Sequence, residues 1–303
     1  MKVADKHGGG FKVIFENIRK MNMKKILIIL VSVLMPMIAG AQAQINTKKV
    51  KIADFPQKVT KVVLSGNDFF DLALQEDVAA RWRVSPYEFC TLDEFETLKT
   101  DDSYYFLITT KTKFKREAAP GLMFMSLVKG GPEAEKGIGK MLEVVSMPIA
   151  SAEDPSGREF AFLQSFLDII QDHALQSIES DVVGYAGLAH HTDNIRNCKE
   201  KRIVFAKCDI SSQVDDEIVY NHFDKEIHVI NEEDADRFIA NVVPNTLVSI
   251  CIAPTEAKKG SYCYKMLVDS ETHTLFYFRR HKISKKYGVG FLAEDIKKIS
   301  SHR

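Results

Sequence analysis

Two hydrophobic periods run along the chain, and the order in which they alternate is used twice. Short β-branched or aromatic runs at 61–64, 87–90, 104–108, 122–128 and 141–149 read as strands. The run at 104–108, YYFLI, is apolar without interruption, which suits a central strand covered on both faces. Between the first two strands, Phe69, Leu72, Ala73, Val78, Ala79 and Trp82 are spaced as one stripe of a helix over 68–82. Thr91 followed by Glu94 is a capping box and predicts a short helix over 92–98. A longer helix is predicted over 159–179, with Phe160, Leu163, Phe166, Leu167, Ile170, Ala174 and Ile178 on one face.

The same order then returns. Strands are predicted at 202–205, 227–230, 247–252, 262–268 and 274–283, and helices at 216–223, 232–240 and 291–299. Thr91 matches Asn231 as a helix cap, and Leu98 matches Phe238, both 140 positions on. Leu127-Val128 matches Leu267-Val268 at the same offset, while Ile149 matches Ile283 at 134. Leu163, Leu167 and Ile170 match Leu292, Ile296 and Ile299 at 129. The expectation is an α/β fold with mixed sheets, in two tandem diverged copies of a β-α-β-α-β-β-β-α unit. The copies span 61–183 and 201–303, with an extended lead-in at 42–60 and a polar linker at 184–200.

Residues 21–41 change the picture of where the chain works. Lys24 and Lys25 precede a 13-residue apolar run at 26–38, and Ala39-Gly40-Ala41 supplies an A-x-A cleavage site. That is the build of a Sec signal peptide, and translation is expected to begin at Met21 or Met23. The apolar run is shorter than the ~20 residues of a membrane span. The expected mature chain therefore has no transmembrane segment and works in the periplasm or is secreted.

Charge removes one class of function. Lys+Arg and Asp+Glu each number 41, so the basic excess of a nucleic-acid binder is missing. The five cysteines form no CxxC pair; Cys208, Cys251 and Cys263 fall in strand-like runs, where a thiol behaves as a small hydrophobe or could join a neighbouring strand.

Chemistry-bearing motifs are sparse. His190, His191 and Asp193 form the cluster closest to a metal site, but adjacent histidines diverge and a solvated linker accounts for them. The Gly-rich segment 129–141 lacks the first glycine and the hydroxyl of a P-loop. Acidic pairs Asp93/Glu94 and Glu232/Glu233 serve helix N-termini. No GxSxG elbow is present, and no cofactor motif is found. Surface chemistry that could meet a partner is expected at Arg279, Arg280 and Lys282, and around Trp82 and Tyr87.

Two runs, 82–89 (WRVSPYEF) and 265–284 (KMLVDSETHTLFYFRRHKIS), resemble an uncharacterised family of exported proteins of Gram-negative bacteria. The order of elements is also similar to that of envelope modules such as the amino-terminal domain of TolB and LpoB, a likeness that carries no residues over. Duplication, an export leader and missing catalytic constellations lead to the expectation of a periplasmic, non-enzymatic binding or envelope-assembly protein acting through protein contacts. The alternatives are a hydrolase or metal-dependent enzyme with a site between the copies near His190 and His191, or a small-ligand sensor.

Overall fold

A computed structural model describes residues 47–114, 117 and 119–303. The expected signal peptide at 21–41 lies outside the described residues, as does the start of the lead-in. The segment 48–57 of the lead-in is not extended. It forms helix α1 (Lys48–Ile52) and a 3-10 turn (Phe55–Gln57), which bury Ile52 and Phe55. Asp54 fixes this segment by accepting from the Tyr105 hydroxyl at 2.6 Å and from Lys129 Nζ at 2.7 Å.

The first copy runs β1 (Val59–Val63), α2 (Asp68–Arg81), β2 (Tyr87–Cys90), α3 (Leu92–Leu98), β3 (Tyr104–Thr112), β4 (Leu122–Lys129), β5 (Leu142–Ser151), α4 (Arg158–Ala161) and α5 (Leu163–Glu179). The second runs β6 (Arg202–Ala206), α7 (Asp216–His222), β7 (Ile227–Ile230), α8 (Glu232–Ala240), β8 (Thr246–Ile252), β9 (Tyr262–Asp269), β10 (Leu275–Lys282) and α9 (Ala293–Ser300). Helix α6 (Asp181–Ala186) stands between them. The strands form two five-stranded sheets, β2-β1-β3-β4-β5 and β7-β6-β8-β9-β10. In each, the first three strands are parallel and the last two join by antiparallel pairing. The chain is thus two tandem copies of one mixed α/β unit.

Register makes the equivalence residue-specific. Cys90, just before the Thr91 cap, stands beside Val63; Ile230, just before the Asn231 cap, stands beside Ala206. Val63 pairs with Ile108 and Ile108 with Ser126. The β6–β8 register, carried two residues on, sets Ala206 beside Ile250, which pairs with Met266. Ser126 and Met266 are therefore equivalent, which places Leu127 on Leu267 as expected. Ile149 and Ile283 are not equivalent. Ser146, opposite Ser126, matches Phe278, opposite Met266, which sets the last strand at an offset of 132 rather than 134.

Helix pairs repeat as well: α2 packs on α5, and α7 on α9. The stripe of α2 lies one residue round from the expected one. Phe70, Leu74 and Val78 are buried, whereas Phe69 is 84% and Leu72 57% exposed. The i, i+4 pairs Phe69/Ala73 and Phe70/Leu74 both fit a helical period, and the larger apolar set wins the core at about 1.5–3 kcal/mol per buried side chain. The helix expected over 159–179 breaks at Phe162, leaving Phe160 41% exposed on α4.

The segment 184–200 is not an open tether. A 3-10 run (Gly187–Asn197) lies along the outer edge of β10, where the Thr192 hydroxyl donates to Phe278 O at 2.6 Å and accepts from Phe278 N at 3.0 Å. Leu188, His191 and Ile195 are buried beneath it. Among the described residues no helix is long and apolar enough to cross a membrane.

Candidate functional site

The inner faces of the two sheets meet in the middle of the molecule. Phe124 and Tyr264, equivalent residues of β4 and β9, touch edge to face at 5.6 Å between ring centroids. A contact between equivalents marks a local two-fold relation between the copies. On one side of this contact β5 packs on β8, and Ser151 Oγ lies 2.8 Å from Thr255 Oγ1. On the reciprocal side, between β3 and β10, the copies stand apart and leave a groove of about 670 Å³.

The groove floor is hydroxylated. Thr110 and Thr112 from β3, Ser126 from β4 and Ser146 from β5 line it, with the two serine Oγ atoms 2.7 Å apart. In the second copy, the positions equivalent to Thr110, Ser126 and Ser146 are Ile252, Met266 and Phe278. At these three positions the sheet face is apolar in the second copy and hydroxylated in the first. The deeper half of that face in the first copy, Val63, Phe106, Ile108 and Val128, is closed by α3 through Phe95 and by Ala134 and Met141 of the Gly-rich loop. That loop folds into 3-10 turns (Pro132–Lys136 and Ile138–Lys140). Gly130 at its root admits no side chain, because a Cβ there would lie 2.1 Å from Asp101 O.

Aromatic and cationic side chains form the rim. Tyr262 packs on Phe114 at 4.8 Å. Its ring lies under the Arg280 guanidinium at 5.3 Å and the Lys282 ammonium at 5.5 Å. Both cations are exposed. Arg280 stands opposite Tyr264 in the ladder, and Glu143 carries a carboxylate on the far wall. Burial pushes the Tyr264 phenol above its ordinary value, with the Arg280 cation opposing the rise. The phenol stays a neutral donor at physiological pH.

No family model, curated protein or solved structure matches this chain.

The structure brings together some of the residues singled out in the sequence and separates others. Arg280 and Lys282 belong to the rim. Arg279, one residue round, borders the groove, but its guanidinium is committed to Asp295 at 2.9 Å and Glu294 at 2.7 Å. Trp82 is 2% exposed, packs edge-on to Phe55 and donates its Nε1 to Ser85 Oγ at 3.1 Å. It is a core residue rather than a surface contact. Tyr87 is half-buried on β2, at the opposite sheet edge from β5, with its ring 5.7 Å from Phe89.

His190, His191 and Asp193 diverge. His191 is buried, with Nε2 3.1 Å from Nδ1 of His173 on α5. Asp193 is exposed and sits 3.8 Å from Arg196. Among the described residues no group of three or more His, Cys, Asp or Glu side chains converges as metal ligands would. Burial pushes His173 down to about 3, helped by the neighbouring His191, and burial also lowers His191. Both imidazoles are neutral, and His173 Nε2 is buried without a partner.

The cysteines also depart from the strand expectation at one place. Cys208 sits in an exposed 3-10 turn, where its thiol donates to Glu232 Oε2 at 2.9 Å. Burial and the nearby Asp209 and Glu232 carboxylates push that thiol up to about 12, so it is not a nucleophile at neutral pH.

The hydroxyl floor escaped sequence reasoning. Its signal was present in the copy-to-copy alignment, where Ser126 falls on Met266, but a serine in a strand carries no motif by itself.

Proposed function

We propose that this chain is a non-enzymatic binding protein of the cell envelope, acting through protein contacts made at the groove between its two copies. The rim is the observation that carries this reading: Tyr262 with the Arg280 and Lys282 cations over its ring and packed on Phe114. Tyrosine and arginine are the side chains that dominate binding energy at protein interfaces. Two exposed cations beside an aromatic pair favour an acidic segment of a partner. The leader at 21–41 supports a periplasmic address.

The test is a charge reversal. A photo-reactive residue in place of Phe114 is used to cross-link the chain in an envelope extract, and the captured segments are sequenced. Acidic segments are expected, and their capture should disappear in the Arg280→Glu, Lys282→Glu double variant. Equal capture by that variant refutes the reading.

The hydroxyl floor favours a second reading, a small-ligand sensor that binds a hydroxyl-rich molecule in the groove. Calorimetric titration with small polyols separates the two. Binding that is lost in Ser126→Ala, Ser146→Ala but kept in the charge-reversal variant selects the sensor. A metal-dependent hydrolase near His190 and His191 gains no such support, since His191 is engaged by His173 and Asp193 by Arg196.

A further inference from the structure

Away from the groove, β8 and β9 bring two thiols together. Cys251 Sγ lies 3.3 Å from Cys263 Sγ, on the outer face of the second sheet. The strands are antiparallel with Cys251 opposite Lys265, so the two cysteines are diagonal neighbours on one face. Cys263 is fully buried, and its sulfur accepts from the Gly290 N–H at 3.3 Å. Gly290 can make this approach because its φ is +103° and a Cβ there would strike Asp209 O and Ser211 N at 2.6 Å. Cys251 is partly exposed and lines a separate cavity of about 260 Å³ that also holds Cys208, Asp209 and Glu232. The buried Lys265 ammonium favours a thiolate at the pair, an effect that its own partner Asp295 opposes at Cys263. One thiol donates to the other, so the pair gives up its first proton more readily than its second: the shared hydrogen bond lowers Cys263 and raises Cys251.

We propose that Cys251 and Cys263 form a dithiol site that reacts with disulfides by thiol–disulfide exchange and closes to an intramolecular cross-strand disulfide. The pair loses one proton to solvent and the other shifts along the 3.3 Å S–H···S contact onto Cys263, so that Cys251, the sulfur facing the cavity, attacks one sulfur of the incoming disulfide as the thiolate. An S–S bond forms to Cys251, and the first thiolate of the reagent leaves. Cys263 then gives its proton to the first departing thiolate, its sulfur attacks Cys251 Sγ, and the second reagent thiolate leaves and takes up a proton from solvent. The protein loses two hydrogens and two electrons, and the disulfide is reduced to two thiols. Closure shortens the sulfur separation from 3.3 Å to about 2.0 Å. The movement is felt at the junction between copies, because the Cys251 N–H donates to Asp209 Oδ1 at 2.8 Å and Asp209 holds Arg158 of the first copy.

The test uses the folded chain and 4,4′-dithiodipyridine, a small disulfide whose released thiopyridone is read by absorbance. Non-reducing peptide mapping should find the peptides containing Cys251 and Cys263 joined, two hydrogens lighter and free of adduct. In Cys263→Ala, Cys251 should instead retain one pyridyl adduct. The wild-type map decides the matter even if that variant fails to fold. A stable adduct on Cys251 in the wild type, or no reaction at either cysteine while Cys208 or another thiol reacts, overturns the proposal.

Discussion

Removing Arg158 should unfasten the two copies from each other. The side chain leaves α4 and is 5% exposed. It donates through Nη1 to Asp209 at 2.8 Å, through Nη2 to Asp236 at 2.8 Å and to Ser249 O at 3.0 Å. A unit charge pair at 2.8 Å attracts by about 6 kcal/mol at an effective dielectric constant of ~20. Desolvation of the guanidinium offsets part of this. What remains after Arg158→Met is Asp236 without its guanidinium and Asp209, 1% exposed, held by Ser249 Oγ and the Cys251 N–H. Breaking one side of a buried pair costs about 3–5 kcal/mol. For a chain of this size that lowers Tm by roughly 6–20 °C. Urea unfolding at constant m-value is the assay. Arg158→Met with Asp209→Asn should recover at least about 2 kcal/mol of the summed single losses, because the more deeply buried of the two stranded carboxylates is gone. A single-variant loss below about 1 kcal/mol, or strict additivity in the double variant, refutes a shared buried ion pair at this junction.

Acid should weaken the fold through the His173–His191 pair. In the unfolded chain His173 binds its proton near 6.5, whereas the folded chain resists it to about 3. Stability is therefore full above pH 6.5 and falls as pH drops from 6.5 toward 3, at up to about 1.4 kcal/mol per pH unit for this group. His173→Leu should flatten that slope in pH-dependent thermal melts, and an unchanged slope counts against the assignment. His190, Asp172 and Lys48 face the pair and stay in place in the variant. Thr91→Ala and Asn231→Ala each remove an N-cap bond at equivalent sites, so each should cost about 1 kcal/mol by urea unfolding. Phe70→Ala should cost about 3–5 kcal/mol, whereas Phe69→Ser, one position away and 84% exposed, should stay within about 0.5 kcal/mol. Equal losses at 69 and 70 would mean the stripe of α2 has been placed on the wrong side.

Local signals wrote the elements and their order. β-branched runs, the Thr91–Glu94 box and the Asn231 cap act within a few residues, and each emerged where the sequence placed it. The duplication was legible because caps and strand residues keep one offset from 91 to 128. Three things were not legible. The rotation of α2 depends on which of two equally periodic stripes meets α5, a tertiary choice. The run 187–197 looks like a polar tether, yet Thr192 and Asn194 spend their polar groups on the edge of β10. Its polarity is that of an edge cover rather than of a solvated linker. The groove depends on how far β3 stands from β10, a distance no residue type encodes. Arg280 and Lys282 were found because exposed cations at a strand end are visible in sequence; Tyr262 and Phe114 were not, because an aromatic residue at a strand end usually reads as core.

The contact between Phe124 and Tyr264 sits on the axis that relates the two copies. Two identical chains meeting about such an axis would share every substitution: a serine at position 126 would appear on both sides at once, and both mouths would be wet or both dry. Here the two halves are covalently one chain, so each side of the axis mutates alone. That independence is what lets Ile252 and Met266 present hydrocarbon in one copy where Thr110 and Ser126 present hydroxyls to the groove in the other.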